Sequence, residues 1–197
     1  MTDLRYNLIF FTGAGISAES GVPTFSEQEG LRDKLSRSFA LSNPEEYRET
    51  IREMKRISDN AQPNAAHKAI ADLDVPVITM NIDGLHRKAH TRRLYEIHGR
   101  LPEEHELFAS NFNTLPNIPV LYGDPAPLYN KAERLVKALD YGNSYFVIVG
   151  VSFYTLISDK LLKIAKSRQA EIIIINDSAT TKVPEFCKKY KAMMDIK

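Results

Sequence analysis

Apolar residues along the chain gather in short blocks separated by longer amphipathic stretches. "YNLIFF" (6–11), "VPVITM" (75–80), "LYEIH" (94–98), "IPVLY" (118–122), "SYFVIVG" (144–150) and "EIIIIN" (171–176) read as strands. Several are apolar without alternation, which suits strands covered on both faces. "NPEEYRETIREMKRI" (43–57), "NAAHKAIADL" (64–73), "YNKAERLVKAL" (129–139) and "TLISDKLLKIAKS" (155–167) carry helical spacing instead. Asn43 before Pro44 makes an N-cap and first turn, with Glu45 and Glu46 at the positive end of the helix. Strands alternating with helices predict an α/β fold: a Rossmann-like parallel sheet with helices on both faces. The least regular segment, "GRLPEEHELFASNFNTLPN" (99–117), is the natural place for an insert in a single domain over 1–197.

Composition narrows the class. Of 197 residues, 43% are hydrophobic and 26% charged, which fits a globular protein with a full core. Lys and Arg number 26 against 25 Asp and Glu, so no broad nucleic-acid or anionic-membrane surface is expected. No apolar run approaches the roughly 18 residues of a membrane span. "MTDLRYNLIFF" leads straight into a core strand and does not resemble a signal peptide. Cys187 is the one cysteine, which excludes an internal disulfide and points to a reducing, cytoplasmic setting. It lies on a helix face in "PEFCKKY" and reads as a packing residue.

Candidate chemistry begins at "IFFTGAGISA", where a strand runs into Gly-x-Gly. A helix starting near Gly15 would place free amides and a close-approach surface against a pyrophosphate. Alone the pattern is weak, and the acidic residue of an ordinary dehydrogenase fingerprint is not evident. "TMNIDGLHRKAH" (79–90) puts Asn81 and Asp83 just past a strand, before Gly84 and a short helix. "YEIHG" (95–99) puts His98 at another strand end. Polar residues at several strand ends on one sheet edge are what a small-molecule site requires.

"GAGISAESGVPTF" (13–25), "NIDGLHRKA" (81–89), "IHG" (97–99), "VIVGVSF" (147–153) and "IIIIN" (172–176), in this order, resemble the sirtuin family of NAD-dependent protein deacylases. "PNAAHKAIADL" (63–73) is similar to a family helix. The resemblance implies a Rossmann-like domain, a small zinc lobe, and NAD lying between them beside an acylated lysine. By that resemblance Gly13, Ala14, Gly15 and Ser17 cradle the phosphates. Glu19 leads into a mobile cofactor loop reaching about residue 40. Asn81 and Asp83 hold the nicotinamide ribose and carboxamide, and Ser152 and Asn176 contact the adenosine half. Phe25, Ile82 and Gly150 complete the cofactor-binding set. His98 is the general base, with Asn81 beside it in the catalytic set. The acylated peptide adds as a strand between Tyr122, Gly123 and Asp124 on one side and Phe153, with Tyr154, on the other.

These residue types suit that chemistry. The nicotinamide–ribose bond breaks through an oxocarbenium-like state, so the ring must be held twisted and desolvated. Asp83 accepts from carboxamide N–H groups, and Asn81 both donates and accepts. The acyl oxygen needs orientation more than activation. A histidine titrating near the working pH suits removal of a ribose hydroxyl proton.

Three departures stand out. One cysteine cannot make the family's four-cysteine zinc site, and the 99–117 insert is much shorter than its module, so no zinc is expected. Ser26 in "PTFS" replaces an arginine that meets the cofactor. Val151 in "GVSF" replaces a threonine and supplies no hydroxyl. His86 and His90, four apart on the predicted helix, would be half a metal site without a second pair of ligands.

Plainer readings stand beside the sharp ones. His67 reads as structural, His105 as part of a solvated face, and Asp83 as an N-cap as well as a ligand. Arg87-Lys88 and Arg92-Arg93 read as a solvated or phosphate-facing patch. The leading function is NAD-dependent lysine deacylation that releases nicotinamide and O-acyl-ADP-ribose. An NAD hydrolase or ADP-ribosyltransferase on the same fold stays open, as does a binding module without turnover.

Overall fold

The computed structural model describes residues 5–24 and 30–195. Phe25 and Ser26, singled out above, lie outside the described residues. In chain order the elements are β1 (Leu8–Thr12), α1 (Leu31–Lys34), α2 (Arg37–Ser42), α3 (Pro44–Asn60), α4 (Ala65–Ala71) and β2 (Val77–Thr79). Then come α5 (Leu85–Lys88), β3 (Leu94–Glu96), α6 (Glu104–Leu107), α7 (Tyr129–Lys137), β4 (Tyr145–Val149), α8 (Leu156–Ser167), β5 (Glu171–Ile175) and α9 (Ala179–Asp195). The five strands form one parallel sheet in the order β3-β2-β1-β4-β5.

β1 is central and fully buried because both of its faces are covered. Ile9 and Phe11 point to α7 and α8, where they meet Phe146, Leu135, Val136 and Leu161. Leu8 and Phe10 point the other way, to α4 and α9, among Ile70, Val147, Val183 and Cys187. Successive side chains of a strand face opposite sides, so an unbroken apolar run is what this position demands. Each large side chain buried here contributes about 1.5–3 kcal/mol of transfer free energy. Cys187 is 3% exposed, and burial pushes its thiol up to about 12, as befits a packing residue.

Two sequence expectations need correction. "IPVLY" is not a strand of the sheet. Tyr122 makes only an isolated bridge with Ser36, the Tyr122 amide donating to the Leu35 carbonyl and the Arg37 amide to the Tyr122 carbonyl, both at 2.9 Å. Nor is the stretch up to residue 40 all loop, because α1 and most of α2 occupy its second half.

A second, smaller core holds these pieces. Leu31, Leu35, Ala40, Tyr47 and Ile51 from α1–α3 pack against Leu101, Leu107, Phe112 and Leu121. Arg37 fastens it. Its guanidinium forks onto both carboxylate oxygens of Asp124 at 2.8 and 2.7 Å and also donates to the carbonyls of Asn113 and Leu115. The pair is 20% and 13% exposed, so solvent screens it little. Arg37 beside Asp124 holds that carboxyl below the usual carboxylate range.

Two histidines are buried under the sheet's carboxyl edge. His86 Nε2 lies 3.0 Å from Thr12 Oγ1, and its ring meets that of His67 edge-on with centroids 4.9 Å apart. Burial lowers His67 to about 4 and His86 to about 3, with Asp83 countering at His67 and His67 adding to the shift at His86. His90 is exposed beyond the end of α5 while His86 is inside, so the two do not share a face as a metal pair. Among the described residues no group of three or more His, Cys, Asp or Glu side chains is placed to hold a metal ion, and no described helix is long and apolar enough to cross a membrane. His105 is exposed, and the basic residues around His90 are paired: Arg87 with Glu96, Lys88 with the α3 carboxyl end, Arg92 and Arg93 with Asp74.

Two stability predictions follow from these contacts. Histidines held neutral in the fold bind protons more readily when unfolded. Stability is therefore complete above about pH 6.5 and falls as pH drops toward 4, by several kcal/mol in total. Urea unfolding between pH 7 and 4 measures this, and a flat profile there contradicts the buried neutral pair. Arg37→Met should remove about 2–3 kcal/mol and raise exchange of the Tyr122 and Arg37 amides. Hydrogen exchange unchanged at those two amides would show that the guanidinium does not hold the small core.

Candidate active site

A parallel sheet brings all its strand carboxyl ends to one edge, and the sequence-predicted residues fall there. After β1 the chain makes two 3-10 turns, Ala14–Ile16 and Ala18–Ser20, rather than a helix starting near Gly15. The amides of Gly13, Gly15, Ile16 and Ser17 donate to the carbonyls of Val149, Gly150, Gly13 and Ala14 at 2.9–3.1 Å. These four are therefore engaged inside the protein and not left free for a ligand. The glycines serve backbone contact. An ideal Cβ on Gly13 would stand 2.7 Å from the Gly150 carbonyl oxygen, and one on Gly15 2.6 Å from Gly150 Cα. Gly150, at φ +64°, would put a Cβ 2.3 Å from the Ile16 nitrogen.

Ser17 is wholly buried and turned toward the end of β2. Its hydroxyl donates to Asp83 Oδ2 at 2.7 Å and accepts from Asn81 Nδ2 at 3.1 Å. Asn81 Nδ2 also donates to Asp83 Oδ2, and Asp83 Oδ1 accepts the Leu85 amide at 2.9 Å. The N-cap of α5 is Gly84 rather than Asp83, which accepts the first helical amide from one residue earlier while its second oxygen serves the cluster. His67 closes the group. Its Nδ1 lies 3.0 Å from Asn64 Oδ1, which already accepts backbone amides, so Nδ1 carries the proton and Nε2 faces Ser17 at 3.4 Å. The single Ser17 proton has two acceptors, and the shorter bond gives it to Asp83.

This cluster borders a cleft lined by Ala14, Asn81, Ile82 and Asp83 together with Val22, Leu31, Met54 and Ile57. A largely apolar lining that includes an amide and a carboxylate suits a flat aromatic ring bearing a carboxamide. In this respect the residues fit the nicotinamide end of NAD. Met54, Ile57 and Ser58 of α3 were not foreseen here. Their helical spacing reads as core, and only the tertiary fold turns that face to the cleft.

His98 does not line this cleft. Its Nδ1 lies 3.1 Å from the Met80 carbonyl and its Nε2 2.9 Å from the Tyr129 hydroxyl. A carbonyl only accepts, so Nδ1 carries the proton, Nε2 offers its lone pair, and the Tyr129 hydroxyl donates. Burial lowers the imidazole below its ordinary value, and the Met80 carbonyl counters this in part. Tyr129 carried no sequence signal beyond the start of a helix.

The remaining residues are placed as follows. Asn176 bonds Val151 twice, Oδ1 accepting its amide and Nδ2 donating to its carbonyl, both at 3.0 Å. That fixes the turn from which Ser152 is exposed and Phe153 adopts φ +56°. Glu19 is drawn away to α9, where its carboxylate accepts from the Thr180 amide and hydroxyl. Tyr122 is exposed and Gly123 has φ +94°, but Asp124 is held in the Arg37 fork. Tyr154, also exposed, carries the Arg32 guanidinium over its ring at 5.1 Å.

Comparison with known proteins agrees with this architecture. The Sir2 family pattern matches residues 13–111. The NAD-dependent protein deacylase 2 of Archaeoglobus fulgidus is 35% identical over 215 aligned positions, covering 90% of this chain and 83% of that protein. Those positions outnumber this chain's 197 residues, so that relative carries residues absent here. The NAD-dependent protein deacylase of Pyrococcus abyssi is 33% identical, covering 94% and 88% respectively. A structure described as the basis for the mechanism and regulation of Sir2 enzymes superposes with a TM-score of 0.76 at 30% identity, covering 94% of this chain and 93% of that one. With the motif order, the sheet topology and these relatives in agreement, the chain belongs to the Sir2 family.

Proposed function

We propose that the chain is an NAD-dependent protein-lysine deacylase that releases nicotinamide and O-acyl-ADP-ribose. The observation that carries this reading is the cleft where Ala14, Asn81, Ile82 and Asp83 meet the apolar side chains of α1 and α3. Relatives that cover most of the chain bear the names NAD-dependent protein deacylase or deacetylase. In this reading the domain is single over 1–197, and 99–117 is the family's small lobe reduced to a few turns.

Asp83 and Asn81 hold the carboxamide, and the walls around them exclude water from the glycosidic bond. Prior ordering of both side chains by Ser17 means little reorganisation is needed when the ring arrives. Gly13, Ala14, Gly15 and Gly150 shape the floor under the phosphates, and Ser152 and Asn176 border the adenosine half. Tyr122, Gly123 and Phe153 flank the acylated peptide, with Asp124 fixing the loop that carries the first two. NAD, when bound, supplies the ribose carbon that receives the acyl oxygen. His98, neutral with its lone pair on Nε2, takes the proton from the ribose hydroxyl.

Incubation with NAD, with and without an acetylated lysine peptide, tests the reading through nicotinamide release. Peptide-dependent release is expected. Release without peptide would assign water or a protein side chain as acceptor, and no release would leave only binding. His98→Ala should lower deacylation by about 10²–10⁴-fold. Full activity in that variant would remove His98 from the role of base. Since burial lowers its pKa, the acid limb of kcat/KM should lie below pH 6.5, the imidazole remaining neutral there. A limb above that value would contradict the buried setting.

A further inference from the structure

The nitrogen that has to accept a proton is already occupied. His98 Nε2 accepts the Tyr129 hydroxyl at 2.9 Å, while Nδ1 is held by Met80 at 3.1 Å. Both ring nitrogens are thus engaged, and the ring lies with its centroid 5.8 Å from that of Tyr129. A substrate hydroxyl cannot reach this lone pair in the observed arrangement except through the phenol oxygen.

Tyr129 is built into the fold at this point. It is the first residue of α7, and its amide donates to the Ala126 carbonyl at 3.1 Å, which fixes the entry to the helix. Ala132 and Val136 follow it at helical spacing and are fully buried against the sheet, so Tyr129 continues their stripe to the sheet's carboxyl edge. Its ring packs on the same core while the residue as a whole stays only partly buried. A ring anchored in apolar contacts with a hydroxyl at a wet edge is a rigid way to place one proton.

We propose that Tyr129 carries the proton from the substrate hydroxyl to His98, as an obligatory second member of the base. The inference rests on the deacylase reading and on His98 as its base. In the step, the ribose O–H bond breaks and its proton passes to the Tyr129 oxygen. The Tyr129 proton moves at the same time to Nε2. The ribose oxygen keeps the electron pair of the broken O–H bond, Tyr129 stays neutral, and His98 becomes an imidazolium held by the Met80 carbonyl. The imidazolium later returns its proton to solvent. Each transfer is between groups that exchange a hydrogen bond, and no outside reductant or oxidant enters.

Tyr122 is the titratable neighbour that acts on Tyr129, raising its phenol further above the ordinary value already raised by burial. Met80 presents only its carbonyl to His98. A relay needs the phenol protonated, so the alkaline limb of deacylation should follow the ionisation of Tyr129.

Three measurements decide the matter. In the NAD-free protein, nitrogen NMR of the His98 imidazole should show Nδ1 protonated. Tyr129→Phe should shift the Nε2 resonance toward that of an unbonded imidazole and leave Nδ1 in place. The same variant should lower the ratio of deacylation to nicotinamide exchange by at least about tenfold, since exchange precedes the base step. A fluorinated tyrosine at 129, with a more acidic phenol, should restore deacylation and move its alkaline limb to lower pH. Equal or faster deacylation in Tyr129→Phe overturns the relay and makes the hydroxyl a plug. Parallel loss of exchange and deacylation, or an unmoved alkaline limb with the fluorinated residue, also overturns it by leaving Tyr129 only a structural part. Failure of the underlying reading looks different: wild-type protein then exchanges no nicotinamide, or His98→Ala still deacylates, and the relay falls with it.

Discussion

Gly13 and Gly15 at the end of β1 press against Gly150 at the end of β4, backbone on backbone, with no side chain between them. The contact sets the separation of the two strand ends, and through it the shape of the edge where the site forms. With both β1 and β4 carboxyl ends closed on each other, the chain after β1 is turned toward β2. That is why Ser17 enters the polar cluster at Asn81 and Asp83. A methyl group at any of the three positions would meet main-chain atoms at 2.7 Å or less, so the strand ends would have to separate. Glycine here answers first to the protein's own backbone, and the accessible surface left above the turn is a consequence.

Away from the sheet, stability is organised differently. The small core around Tyr47 and Phe112 packs the short helices α1, α2 and α6, which could not persist singly because helices of one or two turns are unstable in isolation, against the long helix α3. Their mutual burial and the four-way grip of Arg37 hold them together. An arginine suits this task because its planar fork satisfies a carboxylate with two parallel bonds and still reaches two carbonyls. The arrangement ties α2, the turn after α6 and the loop carrying Tyr122 into one unit.

How much of this could be read from the sequence depended on the range of the interaction that decides each feature. β1 and β4 were legible because burial on both faces leaves an unmistakable apolar block, and β5, an edge strand with Ile174 exposed, because four consecutive isoleucines mark it. α3 was legible from Pro44 and its two glutamates. "IPVLY" has the same apolar character but lacks a neighbouring strand, and pairing, not composition, makes a sheet. α9 was recognised only around Cys187, since Pro184 lies inside the helix, removes an interior backbone hydrogen bond and interrupts its pattern. Asn81, Asp83 and His98 were visible because short motifs carry them. Arg37 and Tyr129 were not, because their partners lie 87 and 31 residues away and nothing local marks them.

The placement of those partners also explains why the polar residues form two groups. Met80 and Asn81 are consecutive, just past the end of β2, and consecutive residues in extended chain face opposite sides. Met80 turns toward α8, where its sulfur accepts from Thr155 and Ser158, and its carbonyl holds His98 beside Tyr129 of α7. Asn81 turns toward Ser17, on the side of α4 and His67. The Ser17–Asn81–Asp83 cluster and the His98–Tyr129 pair therefore stand on opposite sides of one strand end. A small ligand confined to the Asn81 cleft would meet one of them only. A ligand that engages both must pass over the end of β2, with one part desolvated among Leu31, Met54 and Ile57 and a hydroxyl presented on the far side.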